Sequence, residues 1–286
     1  MSFREVKKGE KPKIIDRSKP VEPEKPPAAR PRSGLSSPAI LSLGFFILIA
    51  IGTGLLSLPV ATHQPISVLS AAFTATSAVT VTGLNVVDTG NYTTFGQMVI
   101  IALIQFGGLG FMTFAILAVM SLSPKLGLKQ QIMAQETIGQ TSLKKVTFTI
   151  KGVFLYSLFF EAAGTVILTI AWLPDYNFAQ ALFYAAFYSI SAFNNGGFSL
   201  FPNSLMSFAD QYVITFTISM LYIIGGIGFL VLMDLKRNKS WKKLSPNSKL
   251  ILSTIAGLNI FAFIAIWSLE ASNPLTLAGM SAGDQA

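Results

Sequence analysis

The chain has 286 residues, of which 51% are hydrophobic and 12% charged, and its net charge is +8. A soluble chain of this length would have too little polar surface to cover such a core, so the apolar excess must face lipid. Cysteine is absent and His63 is the one histidine, which excludes disulfides, thiolate chemistry and imidazole metal clusters. The apolar segments also lack paired carboxylates, so an enzyme is disfavoured.

All 21 basic residues fall in three regions: ten in 1–38, five in 121–151 and six in 234–249. Basic residues mark the cytoplasmic loops of membrane proteins. This placement predicts a multi-pass protein whose N-terminus and two later loops share the cytoplasmic side. The positive charge then reports topology, and no nucleic-acid partner is expected.

The first half of the chain predicts a tail, a span and a re-entrant segment. Residues 1–38 mix charge with seven prolines, a composition typical of a disordered cytoplasmic tail. Residues 39–60 are about the 20 needed to cross a bilayer as a helix, running outward. If residues 66–82 also crossed, the next span would place Lys125 and its neighbours outside. We therefore expect a half-helix that enters and leaves from the outer side, with a turn at residues 80–83.

The same reasoning applies to the second half. We expect an outward span at 150–173, a re-entrant segment at 178–197, an inward span at 211–233 and a last outward span at 250–270. The predicted fold is therefore an all-α integral membrane protein built from repeated span, pore-loop and span units. Its predicted parts are the tail (1–38), a first unit (39–120), a cytoplasmic connector (121–149), a second unit (150–233), a cytoplasmic loop (234–249) and the first span of a third, incomplete unit (250–286).

Two stretches of the chain follow one plan, in which a glycine turn is followed by a GGxGF motif. The first copy runs AAFTATSAVTVTGLNVVDTG (71–90) into QFGGLGFMTF (105–114), and the second runs AAFYSISAFNNGGFSL (185–200) into IIGGIGFLVL (223–232). Corresponding glycines of the two copies are separated by nearly the same number of residues, which indicates a duplicated unit.

The turns in these copies predict an ion selectivity filter. Backbone carbonyls can replace the hydration oxygens of a dehydrated cation, and glycine permits the bend that presents them. Each half-helix would also direct its partly negative C-terminus toward the cation. A buried loop and an ordinary turn are the alternative, which the repetition disfavours. The predicted filter, whose backbone carbonyls would bind a dehydrated monovalent cation, comprises Thr80, Val81, Thr82, Gly83, Asn194, Asn195, Gly196 and Gly197.

The GGxGF glycines predict close helix packing, with a pore-lining role as the alternative. These glycines are Gly107, Gly108, Gly110, Gly225, Gly226 and Gly228. Glu161 lies within a predicted span and should face protein or water. We expect it to make structural hydrogen bonds, with ion coordination as the alternative.

At these residues the sequence resembles the Trk/Ktr/HKT superfamily of potassium and sodium transporters, and most closely the bacterial Ktr-type membrane subunit. The similar stretches are GTGLLSLP (52–59), FTATSAVTVTGLNVVDTG (73–90), QFGGLGF (105–111), LGLKQQIMAQETIGQ (126–140), SAFNNGGFS (191–199), GGIGF (225–229) and NPLT (273–276).

The resemblance implies potassium uptake, with sodium as a further candidate cation, across a bacterial plasma membrane. It implies four units with one filter glycine each, to which Gly83 and Gly197 correspond, and Gly83 resembles the potassium-selecting type. It also implies a homodimer in the lipid bilayer, gated by a cytoplasmic nucleotide-binding regulatory ring. The chain carries two of the four units and one further span, so a truncated, non-conducting fragment is an alternative. A pore subunit of a P-type ATPase pump is another.

Overall fold

The structure is a computed structural model that describes residues 37–122 and 143–273. Within these ranges the regular secondary structure is helical, apart from one isolated antiparallel bridge between Thr62 and Tyr92. This agrees with the predicted all-α class. The predicted tail and most of the predicted connector lie outside the described residues. The helices are α1 (Ser37–Leu56), α2 (Val68–Thr80), α3 (Thr94–Leu122), α4 (Leu143–Trp172), α5 (Phe178–Phe193), α6 (Tyr212–Ile227), α7 (Phe229–Asn238) and α8 (Pro246–Glu270).

Several of these helices have the length and composition of membrane spans. Among the described residues, Lys151–Trp172 and Pro246–Glu270 are each long and apolar enough to cross a membrane, and the bent pair of α6 and α7 could form a third span. Shorter apolar segments belong to α1 and α3, whose 20 and 29 residues correspond to about 30 and 44 Å of helix. Many large apolar side chains on these helices are exposed, as expected for surfaces that contact lipid.

Outside these candidate spans, two helices, α2 and α5, are too short to cross, and both begin at a polar cap. The Ser67 side chain accepts a hydrogen bond from the Ser70 amide at the start of α2, and Asn177 caps α5 through the Gln180 amide. Such caps satisfy amides that a helix start leaves unpaired. The 13 and 16 residues of α2 and α5 correspond to about 20 and 24 Å, whereas the hydrocarbon core needs about 30 Å.

Each short helix is enclosed by two longer ones. α2 contacts α1 and α3, α5 contacts α4 and α6, and α3 contacts both α4 and α5. The buried face of α2 is lined by Ala71, Ala75 and Ala78, whose spacing places them on one side of the helix. Small side chains let neighbouring helices approach closely. A single apolar core joins α1, α2 and α3 to α4, α5 and α6.

The predicted span over residues 211–233 is not a straight helix, because the chain bends by 91° between α6 and α7, which together could form one broken span. Gly228 lies at the bend with φ 83° and ψ 147°, a conformation that is essentially restricted to glycine. Beyond the bend, Phe229 is buried against Val153 of α4. Its ring also packs edge-on against Tyr156, with 5.4 Å between ring centroids. Burial of this aromatic ring stabilises the bent arrangement.

Candidate functional site

The two predicted turns have the same backbone conformation. Val81 and Asn195 have φ of 57° and 59°, and the glycines two residues later, Gly83 and Gly197, have φ of 72° and 71°. Left-handed conformations are uncommon for residues other than glycine. The repetition of both positions therefore reflects a shared design of the two turns.

The two turns meet backbone to backbone. A Cβ atom placed on Gly83 would lie 2.8 Å from the Gly196 carbonyl oxygen and 3.0 Å from the Gly197 Cα. A Cβ atom on Gly197 would lie 3.2 Å from the Gly83 Cα. The C-terminal ends of α2 and α5 therefore converge on one point, where neither turn has room for a side chain.

Each turn is held by a buried serine six residues before its glycine, which sequence reasoning missed. The Ser77 hydroxyl accepts a hydrogen bond of 2.8 Å from the Leu84 amide, and the Ser191 hydroxyl accepts one of 3.1 Å from the Phe198 amide. Both serines are 3% exposed. Alignment of SAVTVTGL with SAFNNGGF would have found them, because the serine is shared by both copies.

The predicted packing glycines occupy different environments. A Cβ at Gly107 would overlap the Val79 carbonyl oxygen, and one at Gly225 would overlap the Phe193 carbonyl oxygen. Val79 and Phe193 each lie four residues before their turn glycine. α3 and α6 thus approach the ends of the short helices at corresponding places.

The other GGxGF glycines differ in how much room surrounds them. A Cβ at Gly108 would overlap the side chain of Asn194, whereas one at Gly110 would lie 3.4 Å from the Phe45 ring. At Gly226 the nearest atoms belong to the Asn195 amide, at 3.9 Å. The packing role predicted for Gly228 is wrong, because nothing lies within 4 Å of its Cβ position and the residue forms the bend.

The remaining predicted filter residues divide into exposed and buried ones. Thr80, Thr82 and Asn195 are exposed, whereas Asn194 and Gly196 are buried. The Thr80 hydroxyl donates to the carbonyl oxygen of Thr76 in its own helix, at 2.7 Å. Each turn therefore places exposed residues beside buried ones.

A buried polar cluster lies behind the second turn and joins α3, α4 and α5. Glu161, which is 5% exposed, accepts hydrogen bonds from Ser157 at 2.5 Å, Gln105 at 3.0 Å and Asn194 at 3.1 Å. The Asn194 Nδ2 also donates to the Gln105 Oε1 at 2.9 Å. This bears out the expectation that Glu161 makes structural hydrogen bonds. Its link to Asn194, a predicted filter residue, was not foreseen.

The chemistry of the two turns suits a weakly bound cation. Helix C-termini carry partial negative charge, and two of them meet here. In the described part of the chain, no three His, Cys, Asp or Glu side chains are grouped to hold a metal ion. An open cavity of about 300 Å³ lies beside the second turn, lined by residues that include Tyr188, Asn195, Gly197 and Ile218.

Comparison with known proteins identifies the family. Residues 39–263 match the TrkH family, described as cation transport protein. The chain is 47% identical over 249 residues to the Ktr system potassium uptake protein B of Bacillus subtilis, and 37% identical over 265 residues to that of Vibrio alginolyticus. These matches cover 87% and 91% of this chain and 56% and 58% of the relatives.

A further relative, the potassium/sodium uptake protein NtpJ of Enterococcus hirae, is 34% identical over 251 residues, with 87% of this chain and 55% of the relative covered. The chain spans little more than half the length of these curated relatives. Their names denote transport proteins. The Trk/Ktr/HKT resemblance is confirmed: the chain is a helical membrane protein and belongs to the TrkH family of cation transport proteins.

Proposed function

We propose that the protein takes up potassium across the bacterial plasma membrane along a path lined by the turns at Gly83 and Gly197. The observation that carries this proposal is the direct contact of the two turns at the C-terminal ends of two helices too short to span. Irregular backbone at membrane depth occurs where it is buried in protein or lines a water-filled cavity, and exposed residues at both turns favour the second. Carbonyls of residues 80–83 and 194–197 would replace the hydration shell of the ion.

The repeated unit is part of this proposal. The two turns share their φ values, their supporting serines and the glycine contacts of Gly107 and Gly225. These correspondences support two span, pore-loop and span units, at 39–120 and 150–233, entered from the outer side. The N-terminus would then be cytoplasmic.

Potassium is the proposed cargo, and sodium is the competing cation. Two relatives are named for potassium uptake and one for potassium and sodium uptake. A side chain at residue 83 would meet the Gly196 carbonyl oxygen and would change the spacing of the turn backbones. Glycine at this position therefore supports the potassium-selecting alternative.

The proposal includes partners. Relatives named as parts of a Ktr system support assembly with further subunits, for which we propose a second copy of the chain and a cytoplasmic nucleotide-binding ring. Size determination of the purified chain, alone and with such a ring, tests both. The assembly is contradicted if the chain remains a monomer and retains no ring.

Reconstitution tests the transport function. The purified full-length chain in potassium-loaded liposomes should pass potassium faster than sodium, and Gly83→Ser should reduce this preference by about tenfold or more. A Gly257→Ala variant is the matched control, since nothing lies within 4 Å of that Cβ position in α8. Potassium flux no higher than that of protein-free liposomes would refute the proposal.

A further inference from the structure

Two buried side chains, Glu161 and Asn194, and the partly buried Gln105 form a closed triangle of hydrogen bonds behind the second turn. Gln105 donates through Nε2 to the Glu161 Oε2, and Asn194 donates through Nδ2 to the Glu161 Oε1. The third side runs from the Asn194 Nδ2 to the Gln105 Oε1. Each side chain therefore contacts both of the others. Glu161 is 5% exposed and Asn194 is 6% exposed.

This triangle requires two accepting ends at one corner. An amide side chain has one donating and one accepting end, whereas a carboxylate accepts at both. One atom of Asn194, its Nδ2, faces both other corners. If residue 161 were also an amide, every combination of orientations would therefore leave one side with two donors or two acceptors facing each other. With a carboxylate at Glu161, all three sides are satisfied at once. The site therefore selects the acidic side chain by its hydrogen-bond geometry.

The triangle is connected to both turns through Asn194 and through α3. Asn194 caps α5 at the second turn. Gln105 belongs to α3, where Gly108 lies against the Asn194 side chain and Gly107 lies against the carbonyl of Val79 at the end of α2. One short segment of α3 thus contacts the ends of both short helices, and its orientation depends on the triangle.

We propose that Glu161 is a positioning residue for cation selectivity: its carboxylate holds Gln105 and Asn194 in one arrangement and so sets the spacing of the two turns. This inference rests on the proposed function, because it assigns Glu161 to the same ion path. The carboxylate acts through the turns and does not touch the cation.

An exchange of the carboxylate between two corners tests the inference. Glu161→Gln introduces the unsatisfied side described above, and Gln105→Glu places two carboxylates face to face. The double variant restores one carboxylate and two amides, so all three sides can again be satisfied with side chains of the same size. Double-variant comparisons isolate such pairwise dependence.

The measurement is the thermal stabilisation of the purified full-length chain by potassium and by sodium, which yields an apparent Kd for each ion. We expect each single variant to weaken potassium binding relative to sodium by about tenfold, as for a lost hydrogen bond to a charged group. The double variant should return to within about threefold of the original ratio.

A control and two contrary outcomes complete the test. Thr169 in α4 is buried, and its hydroxyl bonds the carbonyl of Thr165 in its own helix, so Thr169→Val should lower the melting temperature and keep the ion ratio. Suppose that the original chain prefers potassium. If the single variants then keep its ratio of potassium to sodium affinity, or if the double variant has a ratio no closer to the original than the worse single variant, the inference is overturned and the proposed function stands. If the original chain shows no potassium preference, both fall.

Discussion

The contact between Gly83 and Gly197 leaves no room for a side chain on the first turn. Gly83→Ala would combine a left-handed residue with a Cβ only 2.8 Å from the Gly196 carbonyl oxygen. We expect the variant to lose about 2 kcal/mol or more of stability and most of its preference for potassium. Melting temperature and ion flux measure the two effects.

A control substitution at a second glycine distinguishes the effect of the turn contact from the general effect of replacing glycine with alanine. Gly44 in α1 has open space at its Cβ position, and alanine favours helix by about 0.5–1 kcal/mol over glycine. Gly44→Ala should therefore keep or raise the melting temperature. Equal losses in both variants would contradict the role of the turn contact.

The two supporting serines yield a second prediction. Ser77→Ala leaves the Leu84 amide without its acceptor, and Ser191→Ala does the same to the buried Phe198 amide. Each change should cost about 1–3 kcal/mol and weaken potassium stabilisation. Ser268→Ala is the control, because that exposed hydroxyl bonds only a carbonyl of its own helix. Normal potassium stabilisation in both turn variants would show that the serines do not shape the path.

At the residue scale, sequence reasoning found the turn glycines but not the groups behind them. Gly83 and Gly197 are visible because their conformation demands glycine in both copies. Glu161 and Gln105 bond each other across 56 positions of the chain, and no local pattern pairs them. Distant polar contacts of this kind depend on how the helices pack, which periodicity does not report.

At the scale of the helices, the bend at Gly228 is the structural difference between the two GGxGF motifs. α3 continues through Gly110, whereas α6 ends before Gly228. Hydropathy predicts one span over 211–233 because it averages apolar content and cannot detect a single φ of 83°. The ends of α2 and α5 were predictable, since each coincides with a glycine-containing turn.

Replacement of the glycine at the bend tests this element. Gly228→Ala forces a non-glycine residue into a conformation that costs about 1–3 kcal/mol, so we expect α6 and α7 to straighten. Spin labels on Phe216→Cys and Arg237→Cys should lie about 22 Å apart in the bent pair and about 32 Å apart in a straight helix, from 1.5 Å per residue.

The cysteine-free chain makes these labels unique. Gly226→Ala is the matched control, because its Cβ position has only contacts at 3.9 Å and it lies within helix α6. That variant should keep the shorter distance. A short distance in Gly228→Ala as well would show that packing of Phe229 alone maintains the bend.

For the whole molecule, the arrangement of helices relative to the membrane decides whether the turns can line a path. Basic residues of the loop 234–249 lie exposed at Lys236, Arg237 and Lys243, as expected for a cytoplasmic surface. If α2 and α5 only dip into the bilayer, residue 85 after the first turn must lie on the opposite side. If both helices crossed instead, residues 85 and 243 would share one side.

Single-cysteine labelling distinguishes these arrangements. Asn85→Cys should react with a membrane-impermeant maleimide added outside intact cells, and Lys243→Cys should react only after the cells are opened, because the two exposed positions face opposite compartments. Leu258→Cys, on the exposed face of the long apolar helix α8, is the control that lipid should shield in both conditions. Reaction of residues 85 and 243 from one side would make α2 a span, and its turn could not then enter a shared path from outside.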